Sequence, residues 1–99
     1  MSYSRYVYEK IQIPRERTLV LYGFRGDINS VPADEFSRNV ELLDKEGSLI
    51  WTIAAHPQND TNFVGLIAKG SIIEVVNFYG VAYQLNPDTG EIAVLDWRK

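Results

Sequence analysis

An all-β domain of about eight antiparallel strands is what this sequence predicts. Three observations support it: turns ending in glycine at short intervals, apolar–polar alternation between them, and little helical signal. Asp44-Lys45-Glu46-Gly47, Asn77-Phe78-Tyr79-Gly80 and Pro87-Asp88-Thr89-Gly90 each close on a glycine. Glycine reaches positive φ without a Cβ clash and so completes the type I turn plus left-handed residue of many hairpins. Lys69-Gly70 predicts a tighter, two-residue turn.

The strands follow from the segments between turns. Val40 and Leu42 alternate with Asn39 and Glu41. Leu49, Trp51 and Ile53 alternate with Ser48 and Thr52, a pattern that Ile50 breaks, and Val81, Tyr83 and Leu85 alternate with Ala82, Gln84 and Asn86. Tyr3 to Ile13 and Arg17 to Phe24 predict two further strands around Pro14. On strict alternation Tyr6 and Tyr8 share one face of the first, opposite Tyr3, Val7, Ile11 and Ile13. Helix is limited to one short turn, Pro32 to Phe36, with Ser30 as a candidate cap. The expected arrangement is two hairpin-rich sheets, as a partial propeller-like assembly or as a barrel or sandwich.

Length and composition bound the rest. Ninety-nine residues make one domain, 1–99, with enough chain to bury about two-thirds of its unfolded surface. A net charge of −3 and scattered basic residues argue against a nucleic-acid partner, which needs a clustered basic face. No apolar run is long enough for a membrane span, and no signal-peptide pattern opens the chain. With no cysteine there is no disulfide or thiolate chemistry. The expected location is therefore the cytoplasm.

Residues 40–51 align with 83–94 at an offset of 43, matching Leu42 with Leu85, Gly47 with Gly90 and Leu49 with Ile92. This is either an internal repeat or two hairpins sharing one turn chemistry. The stretches Val40-Glu41-Leu42-Leu43-Asp44-Lys45-Glu46-Gly47-Ser48-Leu49-Ile50-Trp51 and Tyr83-Gln84-Leu85-Asn86-Pro87-Asp88-Thr89-Gly90-Glu91-Ile92 resemble the blade hairpins of quinoprotein-type β-propellers. They are also similar to a group of small stand-alone bacterial proteins carrying one or two such units. The resemblance covers residues 38–97. It implies blade-like hairpins and, through the small proteins, an immunity or accessory role with a protein partner. Two units cannot close a ring of four to eight blades, so the quinone cofactor does not carry over, and no cofactor is expected.

Candidate chemistry is sparse. His56, the one histidine, lies in the polar loop His56-Pro57-Gln58-Asn59-Asp60-Thr61. It is a general base with Asp60 close in sequence, or a solvated loop histidine. It has no second His or Cys with which to form a transition-metal site, so no metal is expected. The Asp44 and Asp88 turns lack the acidic spacing of a calcium loop. Arg25-Gly26-Asp27 spells an integrin tripeptide, out of context in a cytoplasmic protein. The chain is not expected to be an enzyme.

Three runs are apolar on both faces: Leu19-Val20-Leu21-Tyr22, Phe63-Val64-Gly65-Leu66-Ile67-Ala68 and Ile72-Ile73-Glu74-Val75-Val76. Such strands are central, or one face meets a partner. The expectation is a non-enzymatic protein-binding module, with a protein partner or a homo-oligomer. Its rim would be built from Arg25 and Asp27, from His56, Asn59 and Asp60, and from Tyr79. The alternative is a small-ligand or carbohydrate-binding domain using exposed aromatics such as Tyr79 and Trp97.

Overall fold

The computed structural model describes residues 2–95; Trp97 and the basic pair Arg98–Lys99 lie outside the described residues. Eight strands are present: β1 (Tyr3–Ile13), β2 (Arg17–Gly26), β3 (Val40–Leu43), β4 (Leu49–Thr52), β5 (Phe63–Lys69), β6 (Ile72–Asn77), β7 (Ala82–Leu85) and β8 (Ile92–Val94). They form two four-stranded antiparallel sheets in sequential order, β1-β2-β3-β4 and β5-β6-β7-β8. The protein is all-β and the sheets do not close into a barrel.

The turns use the residues expected of them. Gly47, Gly80 and Gly90 sit at φ 85°, 88° and 81°. A side-chain amide or carboxylate opens each of the three turns. Asp44 Oδ1 accepts from the N–H groups of Glu46 and Ser48, Asn77 Oδ1 from those of Tyr79 and Val81, and Asn86 Oδ1 from that of Asp88. Pairing of Lys69 with Ile72 leaves Gly70-Ser71 as the two-residue loop. The β1–β2 turn has no glycine, and Arg15 and Glu16 adopt φ 70° and 57°.

Between β2 and β3, Asp27 caps a 3-10 turn, Ile28–Ser30, by accepting from the Asn29 N–H. A single turn of helix, α1 (Ala33–Ser37), then takes Pro32 as its N-cap residue in place of Ser30, with no side-chain cap.

Directly opposed residues share a face, so the register identifies the layers. Leu19, Leu42 and Trp51 form one cross-strand row with Ile11, and Leu21 pairs with Val40. In the second sheet Leu66, Val75 and Tyr83 form one row, and Ile73, Leu85 and Ile92 another. All of these sides meet in a single core. The molecule measures 40 × 37 × 19 Å, its short axis matching two stacked layers.

The packing follows the relation of a sandwich. Leu42 and Leu85, matched in the aligned hairpins, both point into the shared core, as do Val40 and Tyr83.

The faces of β1 differ from strict alternation. The register slips by one residue between Val7 and Glu9, a bulge at Tyr8. Tyr3 and Val7 therefore face away from the core, while Ile11 and Ile13, two positions apart beyond the bulge, turn toward it. A bulge inserts one unpaired residue and inverts the alternation on its far side.

Side-chain hydrogen bonds lock the layers together at both ends. At one end Asn39, 1% exposed, donates through Nδ2 to the carbonyls of Tyr22 and Phe63 and accepts at Oδ1 from the Phe63 N–H, at 2.8, 2.9 and 2.9 Å. At the other end Trp51 Nε1 donates to the Pro87 carbonyl at 3.0 Å. Its ring lies so close to Gly90 that a Cβ there would stand 2.8 Å from it.

Candidate functional site

Among the described residues the most exposed large rings belong to Phe78 and Tyr79, at 67% and 65%. They occupy the β6–β7 turn and meet edge to face, with centroids 5.9 Å apart. Exposed rings on a flexible loop would lose entropy on binding, but this turn is fixed. Asn77, buried at the last residue of β6, accepts from Tyr79 and Val81 at 3.0 and 2.9 Å. Its own Nδ2 donates to Asn59 Oδ1 at 3.0 Å. Asn59 in turn donates to the carbonyls of Thr61 and Ser37, at 3.0 and 3.4 Å. The Phe78 N–H donates to the Asn62 carbonyl at 2.9 Å.

Beside these rings a cleft of about 340 Å³ opens, lined by Phe24, Ile28, Phe36, Thr61, Asn62, Phe78 and Tyr79. Phe24 comes from β2, Ile28 from the 3-10 turn and Phe36 from α1. The Phe24 and Phe36 rings pack at 5.7 Å, and Tyr3 closes the group edge to face on Phe24 at 6.2 Å. Among the described residues no charged side chain lines the cleft. The Glu35 carboxylate accepts from the Tyr3 hydroxyl, and that hydrogen bond raises the Tyr3 pKa above its ordinary value. The arrangement can receive an apolar or aromatic group and offers it two polar neighbours, Thr61 and Asn62.

The expected site residues fall into different roles. Tyr79 is part of the cleft. Asn59 is 9% exposed and acts on the site from behind, through Asn77. Asp27 spends its carboxylate on the 3-10 turn and on Ser30 Oγ, next to the cleft residue Ile28. Arg25 is exposed and lies 4.2 Å over the Tyr6 ring. Asp60 is exposed beside Thr61.

His56 stands apart from the cleft. Its Nδ1 accepts from the Gln58 N–H at 3.1 Å and its ring meets that of Tyr83 at 5.3 Å. Among the described residues no hydrogen bond or ion pair joins His56 to Asp60. No group of three or more His, Cys, Asp and Glu among the described residues could hold a metal ion. No helix among them is long and apolar enough to cross a membrane.

Phe24, Ile28 and Phe36 were not singled out as site residues by the sequence. The available signal was the long connection from Phe24 to Ser37, whose ends carry two phenylalanines that its closure brings together.

Behind His56, Tyr83 is fully buried and its hydroxyl has no hydrogen-bond partner among the described residues. Burial, and secondarily the Asp60 charge, hold its pKa above 10.0. The folded protein thus keeps a proton that the unfolded chain releases, so the stability from this group is complete below pH 10 and is lost as pH rises through the folded value. Tyr83→Phe removes a buried unpaired group. It is expected to stabilise the protein by about 1 kcal/mol in urea unfolding at neutral pH and to flatten the loss of stability at alkaline pH. A variant less stable than wild type would show that the hydroxyl is satisfied in solution.

No family model, curated protein or solved structure matches this chain.

Proposed function

We propose that this protein is a non-enzymatic protein-binding module, of the immunity or accessory kind that its hairpins suggest, and that it contacts its partner through the aromatic cleft. The carrying observation is the pair Phe78 and Tyr79, about two-thirds exposed yet locked in a hydrogen-bonded turn beside an uncharged cleft. Binding energy concentrates in aromatic anchors that need little ordering. The partner presents an apolar or aromatic side chain to the cleft. The absence of cysteine supports action in the cytoplasm.

The test is capture from a lysate of the source cells by tagged protein, read by mass spectrometry, with the Phe78→Ser/Tyr79→Ser variant in parallel. Both positions are exposed, so the variant is expected to fold, which circular dichroism checks. The reading predicts proteins retained by wild type and lost by the variant. Identical capture by the two would sink it.

A second reading rests on the cleft volume, about 340 Å³, within the range of small-molecule sites. Saturable binding of a sugar or metabolite in a calorimetric titration, lost in the same variant, would favour that reading.

A further inference from the structure

The turns at the end of the sandwich away from the aromatic cleft enclose a second cavity. In sequential antiparallel sheets alternate turns fall at opposite ends. The β6–β7 turn and the β2–β3 connection frame the cleft, so the β1–β2, β5–β6 and β7–β8 turns gather at the other end. Between them lies a cavity of about 220 Å³. Ile13, Pro14, Ala68, Ile73 and Pro87 give it apolar walls. Its polar side chains are Gln12, Arg17 and Ser71, and among the described residues no carboxylate lines it.

Arg17 is the cation of this cavity, and its side chain is only 14% exposed. Taking a guanidinium out of water is unfavourable unless its donors are matched. Here the matching is incomplete. Nε donates to the Pro14 carbonyl at 2.8 Å, and Nη1 reaches the Pro87 carbonyl at 3.4 Å. Nη1 also meets Asp88 Oδ1 at 3.6 Å, longer than a charge-assisted hydrogen bond, and the Asp88 side chain is 70% exposed. Nη2 has no partner among the described residues. Pro14 and Pro87 both line the cavity, so the carbonyls that hold the guanidinium fix it at the cavity wall. Beside it, Gln12 Oε1 accepts from the Thr18 hydroxyl, which leaves the Gln12 Nε2 donors open.

We infer that this cavity binds a small monocarboxylate with an apolar tail, the carboxylate on Arg17 and the tail against Ile13, Ala68 and Ile73. A guanidinium presents parallel N–H donors to a carboxylate, and with Nε taken the Nη1–Nη2 edge is the open one. The ligand takes over the donor that Asp88 holds at long range, so Asp88 acts as a weak internal competitor. At about 30 Å³ for each water-sized group the space holds roughly seven heavy atoms, a carboxylic acid of about four to six carbons. Past Ser71 and Pro87 the cavity adjoins a wider groove that carries Glu91. Its negative charge disfavours a second acid group on the ligand. This site is separate from the aromatic cleft and stands whether or not the cleft binds a protein.

Amide-resolved NMR titration with butyrate, isovalerate and hexanoate, at ionic strength held constant with chloride, tests the inference. At least one acid is expected to shift the Gln12, Gly70 and Ser71 amides saturably, with a Kd of about 1 mM or tighter. Isovaleramide, which keeps the shape of isovalerate without its charge, binds at least about tenfold more weakly. Asp88→Asn removes the competing carboxylate at an exposed position and tightens binding about threefold. Ala68→Phe fills the cavity from an exposed position and abolishes binding. Arg17→Met does the same, and if it fails to fold, Ala68→Phe and Asp88→Asn decide the matter. Phe78→Ser/Tyr79→Ser binds the acids like wild type, which keeps this test independent of the proposed function. The inference is overturned if none of the three acids gives saturable shifts up to about 20 mM, well beyond the expected Kd. It is equally overturned by equal affinity for isovalerate and isovaleramide, by a folded Ala68→Phe variant that binds like wild type, or by an Asp88→Asn variant that binds no tighter.

Discussion

Gly90→Ala is expected to destabilise the protein by about 3 kcal/mol, the sum of a left-handed backbone and an overpacked contact. Gly90 sits at φ 81°, and a Cβ there would come within 2.8 Å of the Trp51 ring. The ring cannot retreat freely, because its Nε1 is bonded to the Pro87 carbonyl and it packs against the core. Gly47, the matched turn glycine, provides the control. It has φ 85°, but a Cβ there would meet nothing within 4 Å, so Gly47→Ala carries the backbone cost alone, about 1–2 kcal/mol. Urea unfolding of both variants, followed by circular dichroism, measures the difference. Equal losses would show that Trp51 does not seat on the second turn. For a domain of this size the Gly90 variant should melt more than about 10 °C lower.

Asn39→Ala should cost more, about 3–5 kcal/mol, because it strips partners from three backbone groups in a buried place. The Phe63 N–H, the Phe63 carbonyl and the Tyr22 carbonyl all bond to this one side chain. Asn39→Asp keeps an acceptor for the Phe63 N–H but loses both donated bonds and buries a charge, so it is expected to be no better than alanine. Hydrogen exchange localises the effect: the Phe63 amide loses protection first, ahead of amides in the β6–β7 ladder. A loss below about 1 kcal/mol would show that water satisfies these groups and that the joint is wet.

How much of this was legible depends on whether the determinant is local. The turns were, because Asp44, Asn77 and the glycines act on backbone within a few residues of themselves. The β1–β2 turn was marked only by Pro14, since Arg15 and Glu16 adopt positive φ without the glycine that usually announces it. The bulge at Tyr8 left no local sign. It depends on how β1 fits β2, and it reversed the faces of Ile11 and Ile13 relative to Tyr3. Asn39 read as an ordinary polar residue beside a strand, and Asn59 as a rim residue of the polar loop at 56–61. Both are buried because the second sheet closes over them.

The aromatic cleft shows the same division. Tyr79 was legible as a ring in a turn, but its neighbours come from β2, a 3-10 turn and α1, and nothing in the local pattern groups them. The three doubly apolar runs were read as central strands or as strands with one face against a partner. Only the structure separates Val20, which is 3% exposed, from Ile67, which is 38% exposed.

Alternation and turn chemistry are short-range properties, so an all-β chain with its strands and most of its turns follows from the residue order alone. Tertiary structure decided how the two sheets face each other, which asparagines are interior, and which rings gather into one cleft. Those outcomes depend on contacts between residues distant in the chain, each made only once the two layers are stacked.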